Sequence, residues 1–69
     1  MTTLERNVTN ILEFVEQRVL ELAAIGNIEG ALFWEHDVLN RLVKLAAEKK
    51  LVEVETQWAA IIAYLDWRV

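Results

Sequence analysis

The sequence predicts an all-α fold, which we expect to be a small three-helix bundle or helical hairpin in a single domain covering residues 1–69. Two observations predict this fold class. Apolar residues recur at spacings of three and four along most of the chain, as one buried face of an α-helix requires. Proline is absent and glycine occurs only at Gly26 and Gly30, so few positions interrupt a helix. We expect the helices at about residues 3–25, 28–49 and 53–68.

The first helix has signals at both of its ends. The sequence Thr2-Thr3-Leu4-Glu5 has the form of a capping box, in which threonine and glutamate satisfy unpaired backbone N–H groups. The helix should therefore begin near residue 3. Gly26 predicts its end, because glycine adopts the left-handed conformation without strain, and Asn27 should cap the next helix. The apolar stripe consists of Leu4, Val8, Ile11, Val15, Leu22 and Ile25, widened by Leu12, Val19 and Ala23.

The number of helices in the rest of the chain depends on residues 49–52. One helical series continues to the end at spacings of three and four: Leu32, His36, Leu39, Val43, Ala47, Leu51, Val54, Trp58, Ile61 and Leu65. A single long second helix over residues 28–68 would satisfy this series and is the alternative to three helices. We favour a turn, because Lys49 and Lys50 suit a helix C-terminus and Glu53 suits a new N-terminus.

The last segment of the chain, from Trp58 to Val69, would form a helix with apolar residues on every side. Such a helix is normally buried all round, and the segment is shorter than the roughly 20 apolar residues of a membrane span. We therefore expect two-sided burial in protein. One arc should belong to the chain's own core: Trp58, Ile61, Ile62 and Leu65. The opposite arc should contact a partner: Ala60, Ala63, Tyr64 and Trp67.

Two aromatic residues of the second helix are further candidate contact residues. Phe33 shares its helical position with polar residues such as Asp37 and Lys44, so it should project from the polar side of the helix, beside Trp34. Aromatic side chains dominate the energetics of protein interfaces. Phe33 and Trp34 are therefore predicted to contact a partner, unless the third helix covers Phe33. For Trp58 we expect packing in the core.

Composition and charge limit the possible partners. The net charge is −4, and seven basic residues are dispersed among eleven acidic ones, which disfavours nucleic acids and anionic membranes. A chain of 69 residues without cysteine has a marginal core and no disulfides. Extra stability should come from a protein partner, in a homodimer or a hetero-complex. The opening residues lack the pattern of a secretory signal, so we expect a cytoplasmic protein.

One cluster combines residue types that are used in catalysis or metal binding, namely Glu35, His36 and Asp37. Neighbouring residues on a helix point about 100° apart, so these side chains cannot converge on one ion or one substrate atom. His36 lies on the apolar series, and we expect it to be partly buried. No phosphate loop, serine elbow or cysteine nucleophile is present. The sequence predicts no enzyme, no cofactor and no metal site.

The segment between the first two helices reads Ala24-Ile25-Gly26-Asn27-Ile28-Glu29-Gly30-Ala31-Leu32. It resembles the turn of a tetratricopeptide repeat, where a Gly-Asn or Gly-Asp turn is followed by alanine at a helix crossing. The resemblance continues through Leu39, Ala46-Ala47 and Glu53 and covers residues 15–65 at most. Arg18 and Val19 depart from it, because the family carries a large apolar residue and a small one there. The resemblance implies a scaffold that binds peptides or proteins.

Three functions are compatible with these features. The first is a small helical protein–protein interaction module that acts as a homo-oligomer or as a subunit of a hetero-complex. The second is a small helical chaperone or co-chaperone that holds an aggregation-prone partner. In size, acidity and the opening Met1-Thr2-Thr3-Leu4-Glu5, the chain is similar to small co-chaperones of type III secretion needle proteins. The third is a nucleic-acid-binding regulator, with residues 42–54 as a recognition helix that runs into the first strand of a winged helix.

Overall fold

The computed structural model describes the backbone of residues 2–68 and the side chains of residues 2–65, and the described part forms three helices and no strand. Helix α1 is Thr3–Ala24, helix α2 covers residues 28–47, and helix α3 is Leu51–Arg68. The predicted all-α fold with three helices is confirmed. The alternative of one long second helix is wrong, because the chain turns at residues 48–50.

Helix α1 begins where the capping box predicts. The Glu5 backbone N–H donates to Thr2 Oγ1 at 3.1 Å, and the Thr2 backbone N–H donates to Glu5 Oε1 at 3.0 Å. The first of these bonds satisfies an N–H group that has no partner inside the helix, and the second holds the capping residue in place. The reciprocal pair makes Thr2 the N-cap and Thr3 the first helical residue.

Gly26 ends α1 in the left-handed conformation, with a φ of 83°. The Gly26 N–H donates to the Ala23 carbonyl at 3.1 Å. The Asn27 N–H donates to the Leu22 carbonyl at 2.9 Å, which completes a Schellman motif. The Asn27 side chain then accepts from the Gly30 N–H at 3.0 Å and caps α2. The predicted stop and the predicted N-cap are both confirmed.

The turn between α2 and α3 repeats this hydrogen-bond pattern without a glycine. The Lys49 N–H donates to the Ala46 carbonyl at 3.0 Å, and Lys49 itself has a φ of 62°. The Lys50 N–H donates to the Leu45 carbonyl at 2.9 Å. A lysine thus occupies the position that glycine normally takes at a helix C-terminus.

Helix α3 starts two residues earlier than predicted, at Leu51 instead of residue 53. The Val54 N–H donates to the Lys50 carbonyl at 3.1 Å, so the first α-helical bond already spans this segment. Leu51 packs against the core. Its burial overrides the low helix propensity of the neighbouring valines, as tertiary contacts often do.

The core is small and consists of aliphatic side chains. Seven side chains of the described residues are buried: Val8, Val15, Leu22, Ala31, Val38, Leu42 and Val54. Half-buried residues pack around the main cluster, among them Trp58 and Ile61 of α3. The predicted packing of Trp58 against the core is confirmed. Ile25, predicted as part of the α1 stripe, is instead 76% exposed, because it caps the helix where the chain turns away.

Helix α2 buries a different face from the one predicted. Four members of the predicted series are exposed, namely Leu32, His36, Val43 and Ala47. The buried residues are Ala31, Val38 and Leu42. Each of these buried residues is followed by a leucine or a valine. The predicted series, which runs one residue later, is therefore as apolar as the face that is buried. Packing against α1 and α3 selects the face, which periodicity alone does not. The prediction of a partly buried His36 is wrong for the same reason.

The three helices do not pack equally closely along their lengths. Helix α1 packs against both α2 and α3. The C-terminal part of α2, Asn40–Ala47, packs closely against α3, and the two helices separate toward the N-terminal half of α2. This divergence follows from the short turn at residues 48–50, which holds the helices together at one end only. It leaves a gap between the N-terminal half of α2 and α3.

Candidate functional site: a cleft between the second and third helices

An open cleft of about 300 Å³ lies in the gap between α2 and α3. Its lining residues are Phe33, Asp37, Val38 and Arg41 of α2 and Gln57, Ala60, Ile61 and Tyr64 of α3. Most of these side chains are apolar or aromatic, and the three polar ones have different chemistry: an acid, a base and an amide.

The cleft has an apolar base and partly exposed walls. Val38 is buried and Ile61 is half-buried, so these two residues form its base. Phe33 is 40% exposed and Tyr64 is 52% exposed, and each presents part of its ring to solvent. Ala60 also lines the cleft and is exposed. Because its side chain is a single methyl group, it leaves room that a larger residue would fill.

A row of aromatic side chains connects the cleft to all three helices. Phe33 lies edge-on to Trp34, with ring centroids 6.3 Å apart. Trp34 lies 6.3 Å from Trp58 across the gap between α2 and α3. Trp58 in turn contacts Phe14 of α1, at 5.6 Å. Edge-to-face pairs contribute about 0.5–1.5 kcal/mol each beyond their buried area. The row therefore fills the gap behind the cleft and fixes the position of Phe33.

A π-helical segment, Trp34–Leu39, shapes the α2 side of the cleft. The Asn40 N–H pairs with the Glu35 carbonyl five residues back, so a turn here holds more residues than an α-helical turn. Positions four apart therefore stay nearly in line, whereas in an α-helix they advance by about 40°. As a result Phe33, Asp37 and Arg41, which are spaced by four, form one row along the cleft.

The polar residues at the cleft are exposed and can bind a ligand. Asp37, Arg41 and Gln57 are all exposed. Asp37 and Arg41 form no ion pair shorter than 4 Å with each other. Within the part of the chain that the structure describes, such a pair occurs between Arg18 and Glu21 of α1, at 3.4 Å. The two opposite charges at the cleft are thus not tied to each other.

The structure brings together three of the six residues predicted to contact a partner. Phe33, Ala60 and Tyr64 come from two helices and line the same cleft. Trp34 is half-buried behind Phe33, where it packs against the core. Ala63 is exposed on α3 outside the cleft. The side chain of Trp67 lies outside the described residues, so the prediction for it is untested.

Four cleft residues were not predicted from the sequence, namely Val38 at its base and the polar residues Asp37, Arg41 and Gln57. A signal existed for the two polar residues on α2, because Phe33, Asp37 and Arg41 are spaced by four, and a row of this kind can line a groove beside a neighbouring helix. The π-helical segment that straightens the row leaves no recognisable pattern in the sequence. Gln57 precedes the apolar segment and could be placed only after the packing of α3 was known.

Two further clefts lie at the other end of the molecule, near the turn between α2 and α3. Their volumes are about 260 Å³ and 230 Å³. Both are lined by Lys49 and Leu51, together with residues from the start of α1 such as Leu4 or Glu5. Neither contains a residue that the sequence predicted as a partner contact or an aromatic side chain. We therefore take the cleft between α2 and α3 as the candidate site.

The described residues bring together no group of three or more histidine, cysteine, aspartate or glutamate side chains that could hold a metal ion. Residues 51–54 begin α3, so the strand required by the winged-helix hypothesis is replaced by a helix. As far as the chain is described, none of its helices has the length and apolar character needed to cross a membrane.

Comparisons with protein families, with curated proteins and with solved structures find no match to this chain. Its function is therefore inferred from the geometry and chemistry of the cleft. The relevant features are an apolar base, two exposed aromatic rings and polar side chains of mixed charge.

Proposed function

We propose that this chain is a small helical protein–protein interaction module, which acts as a homo-oligomer or as a subunit of a hetero-complex and binds its partner in the cleft between α2 and α3. One observation carries the proposal. Phe33, Ala60 and Tyr64, predicted as contact residues from separate parts of the sequence, line a single open cleft. The resemblance of residues 15–65 to a tetratricopeptide hairpin supports the same class of function, because that family implies a scaffold for peptides or proteins.

The chemistry of the cleft fits a helix that packs over its mouth. Binding of an amphipathic helix in an apolar groove is a common mode of peptide recognition. The rings of Phe33 and Tyr64 would contact such a helix above the apolar base that Val38 and Ile61 form. Partly exposed aromatic residues of this kind often contribute most of the binding energy, because the partner removes water from both faces of the ring.

Site-specific photo-crosslinking tests the proposal in the native cell. A photoreactive amino acid replaces Gln57 beside the cleft in one variant and Glu13, an exposed residue of α1, in the control variant. We expect a discrete adduct from position 57 and none from position 13. The adduct's mass shows whether the partner is the same chain or a different one. A folded position-57 variant that gives no adduct would contradict the proposal.

A matched pair of substitutions then tests whether the cleft itself is the binding site. Ala60→Trp fills the cleft, whereas Ala59→Trp adds the same side chain at an exposed neighbouring position that does not line it. We expect Ala60→Trp to reduce the yield of the adduct at least tenfold and Ala59→Trp to leave it within twofold of the parent. Equal effects of the two variants, both folded by circular dichroism, would place the binding site elsewhere.

A further inference from the structure

We infer that the partner bound at the cleft is a second copy of this chain, whose α2 packs antiparallel to α2 across a twofold axis near Leu39. This inference rests on the proposed function and adds the identity of the partner. It follows from the order of side chains along α2 beside the cleft and from the distribution of charge over the molecule.

The row of side chains beside the cleft is complementary in charge to the same row of a second copy when the two α2 helices are antiparallel. The row consists of Phe33, Asp37 and Arg41, and Lys44 continues it one turn further. Asp37 and Arg41 lie at equal distances on either side of Leu39. A twofold axis at that point therefore places Asp37 opposite Arg41 of the second copy, and Arg41 opposite Asp37 of the second copy. A C2 interface makes every such contact twice.

The ends of the row are complementary in the same arrangement. Phe33 lies six residues before Leu39 and Lys44 lies five residues after it, so each comes within one residue of facing the other in the second copy. A lysine can place its aliphatic stem and its ammonium group against an aromatic ring. Parallel packing would instead set each residue of the row against its own copy, with Asp37 facing Asp37. The charges thus favour the antiparallel arrangement and disfavour the parallel one.

The charge of the molecule lies mainly away from this row. The net charge is −4, but Asp37 and Arg41 at the cleft cancel. The exposed face of α1 is acidic. It carries four glutamates and only two basic residues: Glu5, Glu13, Glu16, Glu21, Arg6 and Arg18. Two copies would repel each other at that face. The α2 row is therefore a surface on which a second copy meets opposite charge.

A second copy lying along α2 would cover the mouth of the cleft, including the exposed parts of Phe33 and Tyr64.

Charge reversal gives a test in which two defective variants repair each other. In Asp37→Arg the reversed residue faces Arg41 of an identical second copy, so both contacts repel, and in Arg41→Asp both contacts also repel. In an equimolar mixture, however, a chain with two arginines meets a chain with two aspartates, and both contacts attract. We expect each variant alone to dimerise at least tenfold more weakly than the parent, and the mixture to recover most of the affinity.

The measurement is sedimentation equilibrium of the 69-residue chain at concentrations from about 1 to about 200 µM, and circular dichroism confirms that each variant is folded. Glu13→Arg serves as the control, because it reverses a charge on the exposed face of α1. It should not weaken dimerisation, since it lies outside the row and reduces the net charge. Recovery in the mixture requires contact between the two positions in different chains, and a general effect of charge does not produce it.

The possible failures are distinguishable. A parent protein that stays monomeric at 200 µM would overturn self-association, and so would a dimer that is unaffected by both reversals. Neither result touches the proposed function if the photoreactive group at position 57 still captures a different protein. Without any adduct at that position, the proposed function fails as well.

Discussion

At the scale of single residues, Lys49 is held in a conformation that disfavours it. Its φ of 62° lies in the left-handed region, where a side chain costs about 1–2 kcal/mol and glycine pays no such penalty. Glycine also loses more backbone entropy on folding. We expect Lys49→Gly to increase the free energy of unfolding by about 0.5–1 kcal/mol, measured by urea denaturation.

The adjacent lysine provides the control for this prediction. Lys50→Gly removes the same charge from the same helix end, but Lys50 does not have a positive φ. It should therefore lower the stability or leave it unchanged. If Lys49→Gly is no more stable than Lys50→Gly, the left-handed strain at Lys49 is not a significant part of the protein's stability.

The capping box at the start of α1 should make the first turn sensitive to acid. The hydrogen bond from the Thr2 backbone N–H holds the pKa of the Glu5 carboxyl below its ordinary value of 4.5. Because the pKa is lower in the folded state, the contribution to stability is fully present above pH 4.5 and is lost as the pH falls through the folded pKa.

Amide hydrogen exchange at the N-terminal turn of α1 measures this effect. We expect exchange, corrected for its intrinsic pH dependence, to accelerate in the parent protein as the pH falls below 4.5. In Glu5→Gln the neutral amide can still accept from Thr2, so the protection should no longer change with pH over this range. Glu16→Gln, in the exposed middle of α1, should behave like the parent. An unchanged acid response in Glu5→Gln would assign the effect to another group.

At the scale of elements, the side chain of Asn27 caps the start of α2 and occupies space that is free because residue 30 is a glycine. A Cβ built on Gly30 would lie 2.8 Å from Asn27 Nδ2 and 3.0 Å from Asn27 Oδ1. Alanine at this position would therefore displace the side chain that caps the helix. It would also raise helix propensity by roughly 1 kcal/mol relative to glycine. A typical N-cap contributes about the same amount, so the two effects should nearly cancel.

A double-mutant cycle separates these two effects. In the parent, Gly30→Ala should change the free energy of unfolding by less than about 0.5 kcal/mol, as the gain in propensity offsets the loss of the cap. In an Asn27→Ala background the cap is already gone, so the same substitution should stabilise by about 1 kcal/mol. Additive effects would mean that Asn27 keeps its hydrogen bond when alanine occupies position 30.

The ends of the helices were more predictable from sequence than the faces that they bury. The start of α1 and its stop at Gly26 depend on local hydrogen bonds and local backbone conformation, which a few adjacent residues determine. The left-handed Lys49 was not predictable in this way, because lysine carries no preference for that region. The buried face of α2 depends on packing against two other helices. Since Leu32 and Ala31 are both apolar, the sequence leaves two faces equally plausible.

The cleft was predictable in part. The apolar arc of α3 that continues beyond the core pointed to Ala60 and Tyr64, and an aromatic residue on a polar face pointed to Phe33. That these residues meet in one cleft depends on the divergence of α2 from α3 and on the π-helical segment Trp34–Leu39. Both are consequences of tertiary packing, and neither has a local sequence pattern.

At the scale of the whole molecule, a small core supports a large exposed surface. The seven buried side chains of the described residues are four valines, two leucines and one alanine. The principal dimensions are 36 × 24 × 17 Å, and an α-helix with its side chains is about 10 Å across. The shortest dimension therefore accommodates two helices at most. Most residues consequently have solvent on one side, and the core cannot become thicker without a partner.

Such a core should tolerate little loss of volume. A single-core domain of this size is stable by only about 3–5 kcal/mol. Leu42 is fully buried, and replacing a buried leucine by alanine costs about 2–5 kcal/mol because a cavity remains. We therefore expect Leu42→Ala to be largely unfolded at 25 °C, measured by the amplitude of the urea transition and by far-ultraviolet circular dichroism.

The same substitution at Leu20 separates the loss of core packing from the change of residue type. Leu20 is 55% exposed on α1, so Leu20→Ala removes little buried area and should change the free energy of unfolding by less than about 0.5 kcal/mol. Because association stabilises the folded state in proportion to the logarithm of concentration, raising the protein concentration should partly restore Leu42→Ala if the chain forms dimers. A Leu42→Ala protein that stays fully folded at all concentrations would contradict this prediction and show that the loss of volume at Leu42 costs less than the stability of the domain.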